Sequence, residues 1–194
     1  MAARRIVLIQ GHPDASVPHL CHALAEAYAV GAQAAGHDVR RIEVAQRDFS
    51  LLRSQHDWEH GDLPPALRIA QDDMAWAQHL VFFYPLWIGD MPALLKGFLE
   101  QVARPDFAFK ADGGNPYIAK GLAGRSARVV ITMAMPTFGH QVGAHSARSI
   151  EHNVLGFVGV APVEATLIGE AEKLGEAGVA KWLADMRALG GAAA

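Results

Sequence analysis

The sequence has little of several features that mark particular classes of protein. A single cysteine, Cys21, among 194 residues excludes an internal disulfide framework and fits a reducing cytoplasm. No run of 18 or more apolar residues is present, so we expect no membrane-spanning helix. The apolar stretch 6–10 is too short for the core of a signal peptide. These absences favour a soluble protein of the cytoplasm.

A strong charge of one sign is also lacking. The net charge is −3, with 17 basic and 20 acidic residues mixed along the chain, so neither a basic stripe for nucleic acid nor an acidic tail is present. Ten histidines raise the question of a metal site. His56 and His60 have i,i+4 spacing and His19 and His22 have i,i+3 spacing. Neither pair comes with cysteines or a clear third ligand, so we predict no metal site.

Short apolar runs alternate with amphipathic stretches from end to end. The predicted strands are 5–10, 39–44, 80–86, 127–133 and 163–169, and the predicted helices are 17–35, 64–76, 92–104, 143–156 and 172–189, with Ser16 and Asp62 as N-caps. This alternation requires a parallel sheet with helices on both faces. Because crossovers are right-handed, five strands favour the flavodoxin-like order 2-1-3-4-5. We expect one domain over 1–194, with a frayed tail at 190–194.

Two segments do not follow the alternation. Both 46–63 and 104–125 are long, polar and rich in turn-forming residues. Loops of this length in a compact domain are usually functional or packed against a partner. We therefore expect these segments to lie near a subunit contact or a binding site.

The third strand leads directly into Tyr-Pro-Leu-Trp-Ile-Gly-Asp-Met-Pro at 84–92. A turn at the carboxyl end of a buried strand is where open α/β sheets bind ligands. Trp87 and Ile88 offer aromatic and aliphatic surface, and Gly89 lets a flat ligand approach the backbone. The turn suits a planar heteroaromatic ring, and the alternative is an ordinary strand-to-helix turn with a packed tryptophan.

The first strand ends in Gly-His-Pro-Asp-Ala-Ser at 11–16. Backbone N–H groups at a helix start favour a phosphate, and His12 and Ser16 add side-chain donors. One glycine is too few for a dinucleotide-binding G-x-G-x-x-G turn, and a P-loop would end in Gly-Lys-Ser/Thr. Asp14 counts against a phosphate because like charges repel, unless it points to solvent. The alternative is that Ser16 only caps the helix and His12 is solvated.

Together these residues resemble the flavin-dependent NAD(P)H:quinone reductases of the flavodoxin-like superfamily, the DT-diaphorase type and its bacterial relatives. The resemblance covers about 5–169 and is carried by 11–16, by 84–97 with its Pro-Leu-Trp and Pro-Ala-Leu-Leu-Lys-Gly, by Asp-Phe-Ala-Phe at 106–109, and by 131–136. The sequence departs from the family at two places. Pro18 and His19 replace a frequent Phe-Asn, and Ala134 and Met135 replace two glycines, which suggests a different backbone conformation there.

The resemblance implies a bound FAD, with FMN as the alternative, and hydride transfer from NAD(P)H to quinones or similar acceptors in a ping-pong cycle. It implies that the three turns hold the cofactor through His12, Ser16, Pro18, His19, Pro85, Leu86, Trp87, Ile88, Thr132, Met133, Ala134 and Met135. It places His140 or His145 in the substrate pocket as catalytic residues. It also implies a homodimer with the active site at the subunit boundary.

A flavin carries the redox chemistry itself, so the protein needs mainly to position rings and tune charge. Reduction requires a donor near the flavin N1–O2 edge, for which the backbone N–H groups of 133–135 are candidates. Cys21 has the helical setting of a small packed residue and not of a nucleophile.

Two other classes of function remain open. A flavodoxin-type electron carrier would have no substrate site, but such carriers are usually strongly acidic and the net charge here is only −3. A regulatory flavodoxin-like subunit of a membrane transporter would purify together with its membrane partner.

Overall fold

The computed structural model describes residues 2–112, 115–137 and 141–194, without the side chains of 110–112, 115–119 and 141–143. Its strands are β1 (Arg5–Gln10), β2 (Asp38–Glu43), β3 (His79–Pro85), β4 (Phe109–Asp112), β5 (Asn115–Lys120), β6 (Ser126–Thr132) and β7 (Val163–Ile168). Five of them form a parallel sheet in the order β2-β1-β3-β6-β7. This is the predicted order 2-1-3-4-5, and each of the five strands lies within one residue of its predicted bounds.

The helices are α1 (Leu20–Ala34), α2 (Gln55–His60), α3 (Pro65–Trp76), α4 (Ala93–Val102), α5 (Pro105–Ala108), α6 (Gln141–Arg148), α7 (Gly156–Val158) and α8 (Gly175–Ala192). A π-helical segment, Ser149–Leu155, joins α6 to α7. The predicted helix 143–156 is therefore one part of a longer helical stretch.

The sheet is buried on both faces because β1 alternates its side chains between two cores. Ile6 and Leu8 pack with α1 and α8 on one face, whereas Val7 and Ile9 pack with α3 and α4 on the other. All four are essentially buried. A strand buried on both faces has no polar alternation, which is why β1 reads as a continuous apolar run.

Both predicted N-caps were wrong. The N-cap of α1 is His19. Ser16 lies four residues before the first helical residue, Leu20, and its amide and hydroxyl both donate to the carboxylate of Asp14. The N-cap of α3 is Pro64, and the helix starts with a second proline, Pro65. A proline at the first helical position has no N–H to satisfy, so the helix can begin without a side-chain cap.

The two segments expected to be loops contain regular structure. The first includes α2, and the second includes α5 and the antiparallel pair β4–β5. Arg104 joins the two segments, because its buried guanidinium donates to the carbonyl oxygens of Asp57 at 2.6 Å and Gly61 at 2.7 Å. Trp58 adds a hydrogen bond from Nε1 to the carbonyl of Ala103 at 3.1 Å.

The expectation of a frayed tail was also wrong. Helix α8 continues to Ala192, and Ala193 is buried. The side chain of Arg4 donates to the carbonyl of Ala193 at 2.9 Å. Gly190 packs directly on α1, since a Cβ there would lie 2.1 Å from the carbonyl oxygen of Tyr28. The small residues at the end of the chain permit close helix packing and do not signal disorder.

Candidate functional site

The turns that follow β1, β3 and β6 line one cleft of about 300 Å³ at the carboxyl ends of the strands. Its lining residues are His12, His19, Leu20, Cys21, Pro85, Leu86, Trp87, Thr132, Met133, Ala134, Ala171 and Glu172. Parallel strands end at the same edge of the sheet, so turns distant in sequence meet there. We refer to this space as the cleft.

Four residues predicted to bind the cofactor lie outside this lining. Ser16 is exposed and faces Asp14. Pro18 lines a separate pocket between α1 and β2. Ile88 lines an adjoining apolar pocket beside Trp87, and Met135 is 37% exposed at the rim of the third turn.

In the first turn, the carboxylate of Asp14 already binds the donors that would suit a phosphate. Oδ1 accepts from the amide of Ser16 at 2.8 Å and from its hydroxyl at 2.5 Å, and Oδ2 lies 3.1 Å from Nε2 of His19. The hydrogen bonds from Ser16 and His19 hold the pKa of Asp14 well below its usual range. Asp14 therefore points into its own turn and not away from it.

Three histidine rings surround this turn. His12 stacks on His19 with ring centroids 3.8 Å apart, and His22 lies 5.4 Å from His12. Nδ1 of His12 lies 3.1 Å from both the amide nitrogen and the carbonyl oxygen of Asp14, so it accepts from the first in one tautomer and donates to the second in the other. Burial, followed by the nearby His19, lowers the pKa of His12, so we expect a neutral ring.

The second turn, Trp87 to Asp90, reverses the chain tightly. The amide of Trp87 donates to the carbonyl of Asp90 at 2.8 Å, and the amide of Asp90 donates back at 3.1 Å. Ile88 and Gly89 have φ of +47° and +87°. Two positive φ values define a type I′ turn, so Gly89 serves the turn geometry itself. Trp87 is 51% exposed. Its ring centroid lies 6.2 Å from that of His12, and the two ring planes are nearly perpendicular.

The third turn is tied to the strands on both sides. The carbonyl oxygen of Thr132 accepts a hydrogen bond from the amide of Leu86 at 2.8 Å. The amide of Met133 donates to the carbonyl oxygen of Ile168 at 2.9 Å. The amide of Met133 is therefore already engaged, although it was one of the three predicted donors for a ligand. Neither Ala134 nor Met135 has a positive φ, so their replacement of glycine causes no backbone strain in this structure.

Of the two predicted catalytic histidines, the structure describes only His145. His145 is exposed on α6 and does not line the cleft. His140 lies outside the described residues. Ser146, which follows His145 on α6, is buried and donates from Oγ to Oδ1 of Asp90 at 2.7 Å. This hydrogen bond joins α6 to the second turn.

Four residues that line the cleft were not predicted from the sequence: Leu20, Cys21, Ala171 and Glu172. Cys21 is buried as expected, and burial raises its pKa to about 11, but it also lines the cleft with its Sγ 3.2 Å from Oγ1 of Thr132. Leu20, the first residue of α1, lines the cleft next to Cys21. Ala171 and Glu172 enter from the turn after β7, for which the sequence carries no binding motif.

His56 and His60 share the face of α2, with ring centroids 4.9 Å apart. Among the residues that the structure describes, no group of three or more His, Cys, Asp or Glu side chains is arranged to hold a metal ion. No helix in the described ranges is both long and apolar enough to cross a membrane.

A protein-family model described as flavodoxin-like fold matches residues 4–189. A Haemophilus influenzae protein described as an uncharacterized NAD(P)H oxidoreductase is 28% identical over 111 residues. The match covers 56% of this chain and 54% of that protein, so it spans about half the length of the relative.

Two solved structures share the architecture. The NAD(P)H:quinone oxidoreductase of Methanothermobacter marburgensis is 24% identical with a TM-score of 0.78, over 98% of this chain and 96% of that one. The Smu.1420 protein of Streptococcus mutans is 22% identical with a TM-score of 0.78, over 96% of this chain and 98% of that one. At these identities the similarity establishes the fold alone.

Proposed function

Because the chain belongs to the flavodoxin-like fold family, we propose that it is a flavin-dependent oxidoreductase that moves hydride from NAD(P)H to quinones or similar acceptors in a ping-pong cycle. The observation that carries the proposal is the meeting of the three turns in one cleft at the carboxyl ends of β1, β3 and β6. The names of the Haemophilus influenzae relative and of the Methanothermobacter marburgensis structure support this class of reaction.

The second and third turns fit a flat ring system. Pro85, Leu86 and Trp87 supply apolar surface on one side of the cleft, and Met133 and Ala134 line it from the third turn. Trp87 leaves half of its surface exposed. An exposed aromatic face beside a cleft of about 300 Å³ suits stacking against a planar heteroaromatic ligand.

The first turn fits a phosphate once Asp14 gives up its contacts. The hydroxyl and amide of Ser16 and the Nε2 of His19 are directed at a carboxylate, which has the same charge sign as a phosphate. The ring of His12 stacks beside that of His19. A phosphate would receive the same charge-assisted hydrogen bonds as the carboxylate, so it must compete with Asp14 for these donors.

A bound flavin would supply the hydride acceptance and delivery. The chain's own residues bind and orient the reactants. The Pro85–Trp87 surface would fix the plane of the ring, while buried Thr132 and Cys21 exclude water from the floor of the cleft. We retain His140 or His145 as the proposed proton donor; His145 would act from its exposed position on α6, outside the lining of the cleft.

We propose FAD as the cofactor, with FMN as the alternative, and a cytoplasmic homodimer with the cleft at the subunit boundary. The exposed surface of Trp87 and Ile88, 51% and 107%, supports this contact. It continues into an apolar pocket of about 640 Å³ that Met91, Pro92 and Lys96 help to line. A monomer at micromolar concentration with flavin fully bound would contradict the dimer.

Steady-state oxidation of NADH and NADPH with a quinone acceptor tests the activity after loading with FAD or FMN. We expect turnover far above that of free flavin, whereas an electron carrier would show negligible turnover. Trp87→Ala should weaken flavin binding by about tenfold, because stacking on an aromatic ring contributes roughly 1–3 kcal/mol. Ile69→Ala, at a site that is 60% exposed on α3 away from the cleft, is the matched control.

A further inference from the structure

The Trp87–Asp90 turn holds its backbone in a conformation that its sequence disfavours. Ile88 has a φ of +47° and is fully exposed. A β-branched residue at positive φ is a genuine outlier, and it persists only where the surroundings fix it. Ile88 makes no buried contact that would fix it, so the constraint comes from other residues of the turn.

Asp90 supplies that constraint. Its backbone exchanges two hydrogen bonds with Trp87, so the position of Asp90 sets the position of Trp87. Its carboxylate Oδ1 accepts from the amide of Met91 at 2.8 Å and from Oγ of Ser146 at 2.7 Å. Of these two hydrogen bonds, the one from Ser146 comes from another element, α6.

The hydrogen bonds around Ser146 run in one direction. An ionised carboxylate only accepts, so the hydroxyl of Ser146 must donate to Asp90. Its oxygen is then an acceptor for the phenol of Tyr84, which lies 3.2 Å away. Burial raises the pKa of Tyr84, so the phenol keeps the proton that it donates. Tyr84 and Ser146 are both fully buried, so the bond between them is shielded from water, and the bond from Ser146 to Asp90 is partly buried.

We infer that Ser146 is a positioning residue for the cleft. Its hydroxyl holds Asp90, and through Asp90 it holds the Trp87 ring in the orientation that a ligand meets. The flavin part of this inference rests on the proposed function, whereas the effect on the turn does not. It also gives α6, which carries His145, a direct link to the ring-binding side of the cleft.

The test compares Ser146→Ala with Ser149→Ala, a matched change in the next turn of the same helical stretch. Amide hydrogen exchange is measured on protein without flavin. For Ser146→Ala we expect the amides of Trp87 and Asp90 to exchange about tenfold faster, as the loss of one partly buried hydrogen bond to a carboxylate implies. Ser149→Ala should leave both amides unchanged.

Flavin affinity and the visible circular dichroism of bound flavin give the second readout. Ser146→Ala should weaken binding by roughly three- to tenfold, by the same loss of one hydrogen bond, and should alter the dichroism of the ring. Asp90→Asn keeps an oxygen that can accept from Ser146 and Met91, so the amides of Trp87 and of the substituted residue should exchange at near-wild-type rates. Asp90→Ala lacks this oxygen and should raise the exchange rates as much as Ser146→Ala does.

Unchanged exchange and unchanged affinity in Ser146→Ala would overturn the inference. If that variant fails to fold, Tyr84→Phe removes the donor at the other end of the chain of bonds and should give a smaller change in the same direction; no change would again refute it. If the wild-type protein binds neither flavin, the proposed function fails, and the exchange rates still decide whether Ser146 holds the turn.

Discussion

Replacing Gly169 by alanine should displace the third turn of the cleft. Gly169 follows β7, and a Cβ there would lie 2.7 Å from the amide nitrogen of Thr137 and 2.8 Å from the carbonyl oxygen of Met135. The shorter distance is about 0.7 Å below the 3.4 Å at which ordinary contact begins. Both atoms are backbone, so relief requires movement of the turn and not a change of rotamer.

The cost follows from this geometry. Overpacking of this kind typically destabilises a protein by about 1–3 kcal/mol. The displaced turn includes Ala134, which lines the cleft, so ligand geometry changes as well. A misplacement approaching 1 Å in an active site lowers activity by up to roughly a hundredfold. We therefore expect a loss of stability together with a ten- to hundredfold loss of kcat/KM, by the same reasoning.

Urea unfolding measures the loss of stability, and steady-state kinetics of the flavin-loaded protein measure the loss of kcat/KM. Gly191→Ala is the control, because its nearest contact would be 3.6 Å from Gly31 and it lies within α8. Alanine in a helix is favoured over glycine by about 0.5–1 kcal/mol, so this control should be neutral or slightly more stable. If Gly169→Ala kept both wild-type stability and wild-type kcat/KM, the close packing of the third turn on Gly169 would be refuted.

Three further predictions concern single side chains. Asp14→Asn should bind FMN more tightly than wild type, since it removes the negative charge that now holds Ser16; a raised Kd by fluorescence quenching would contradict this. Burial lowers the pKa of His79 from 6.5 to about 4, so between pH 6.5 and 4 the side chain is protonated in the unfolded chain and neutral in the folded chain. Stability should therefore fall as pH drops from 6.5 to 4, by roughly 3 kcal/mol, and His79→Asn should flatten that slope in urea unfolding; an unchanged slope would contradict it. Burial raises the pKa of Cys21 from 9 to about 11, so iodoacetamide at pH 8 should modify it roughly a hundredfold more slowly in the folded chain than in urea, and equal rates would contradict its burial.

The sheet could be predicted because its strands are buried on both faces. A strand such as β1 must be apolar along its whole length, and right-handed crossovers leave few strand orders. The meeting of His12, Trp87 and Thr132 in one cleft follows from the same rule, since parallel strands end at a common edge. Periodicity and connectivity are therefore sufficient for this part of the account.

Other features depend on contacts that periodicity does not encode. The pairing of Asp14 with Ser16 and His19 is a choice among side-chain rotamers, and the sequence alone allowed a solvent-facing carboxylate. The positive φ of Ile88 opposes its own backbone preference, and the hydrogen bonds between Trp87 and Asp90 on either side of it close the turn. The ordered end of α8 arises from close packing on α1, which small residues permit.

Flavin binding to the cleft is the central claim, and titration of FAD and FMN into the purified protein tests it most directly. We expect saturable binding of one flavin per chain with quenched fluorescence and a shifted visible spectrum, weakened by Trp87→Ala and unaffected by Ile69→Ala. A protein that binds neither flavin, or whose flavin affinity is the same in Trp87→Ala, would contradict it.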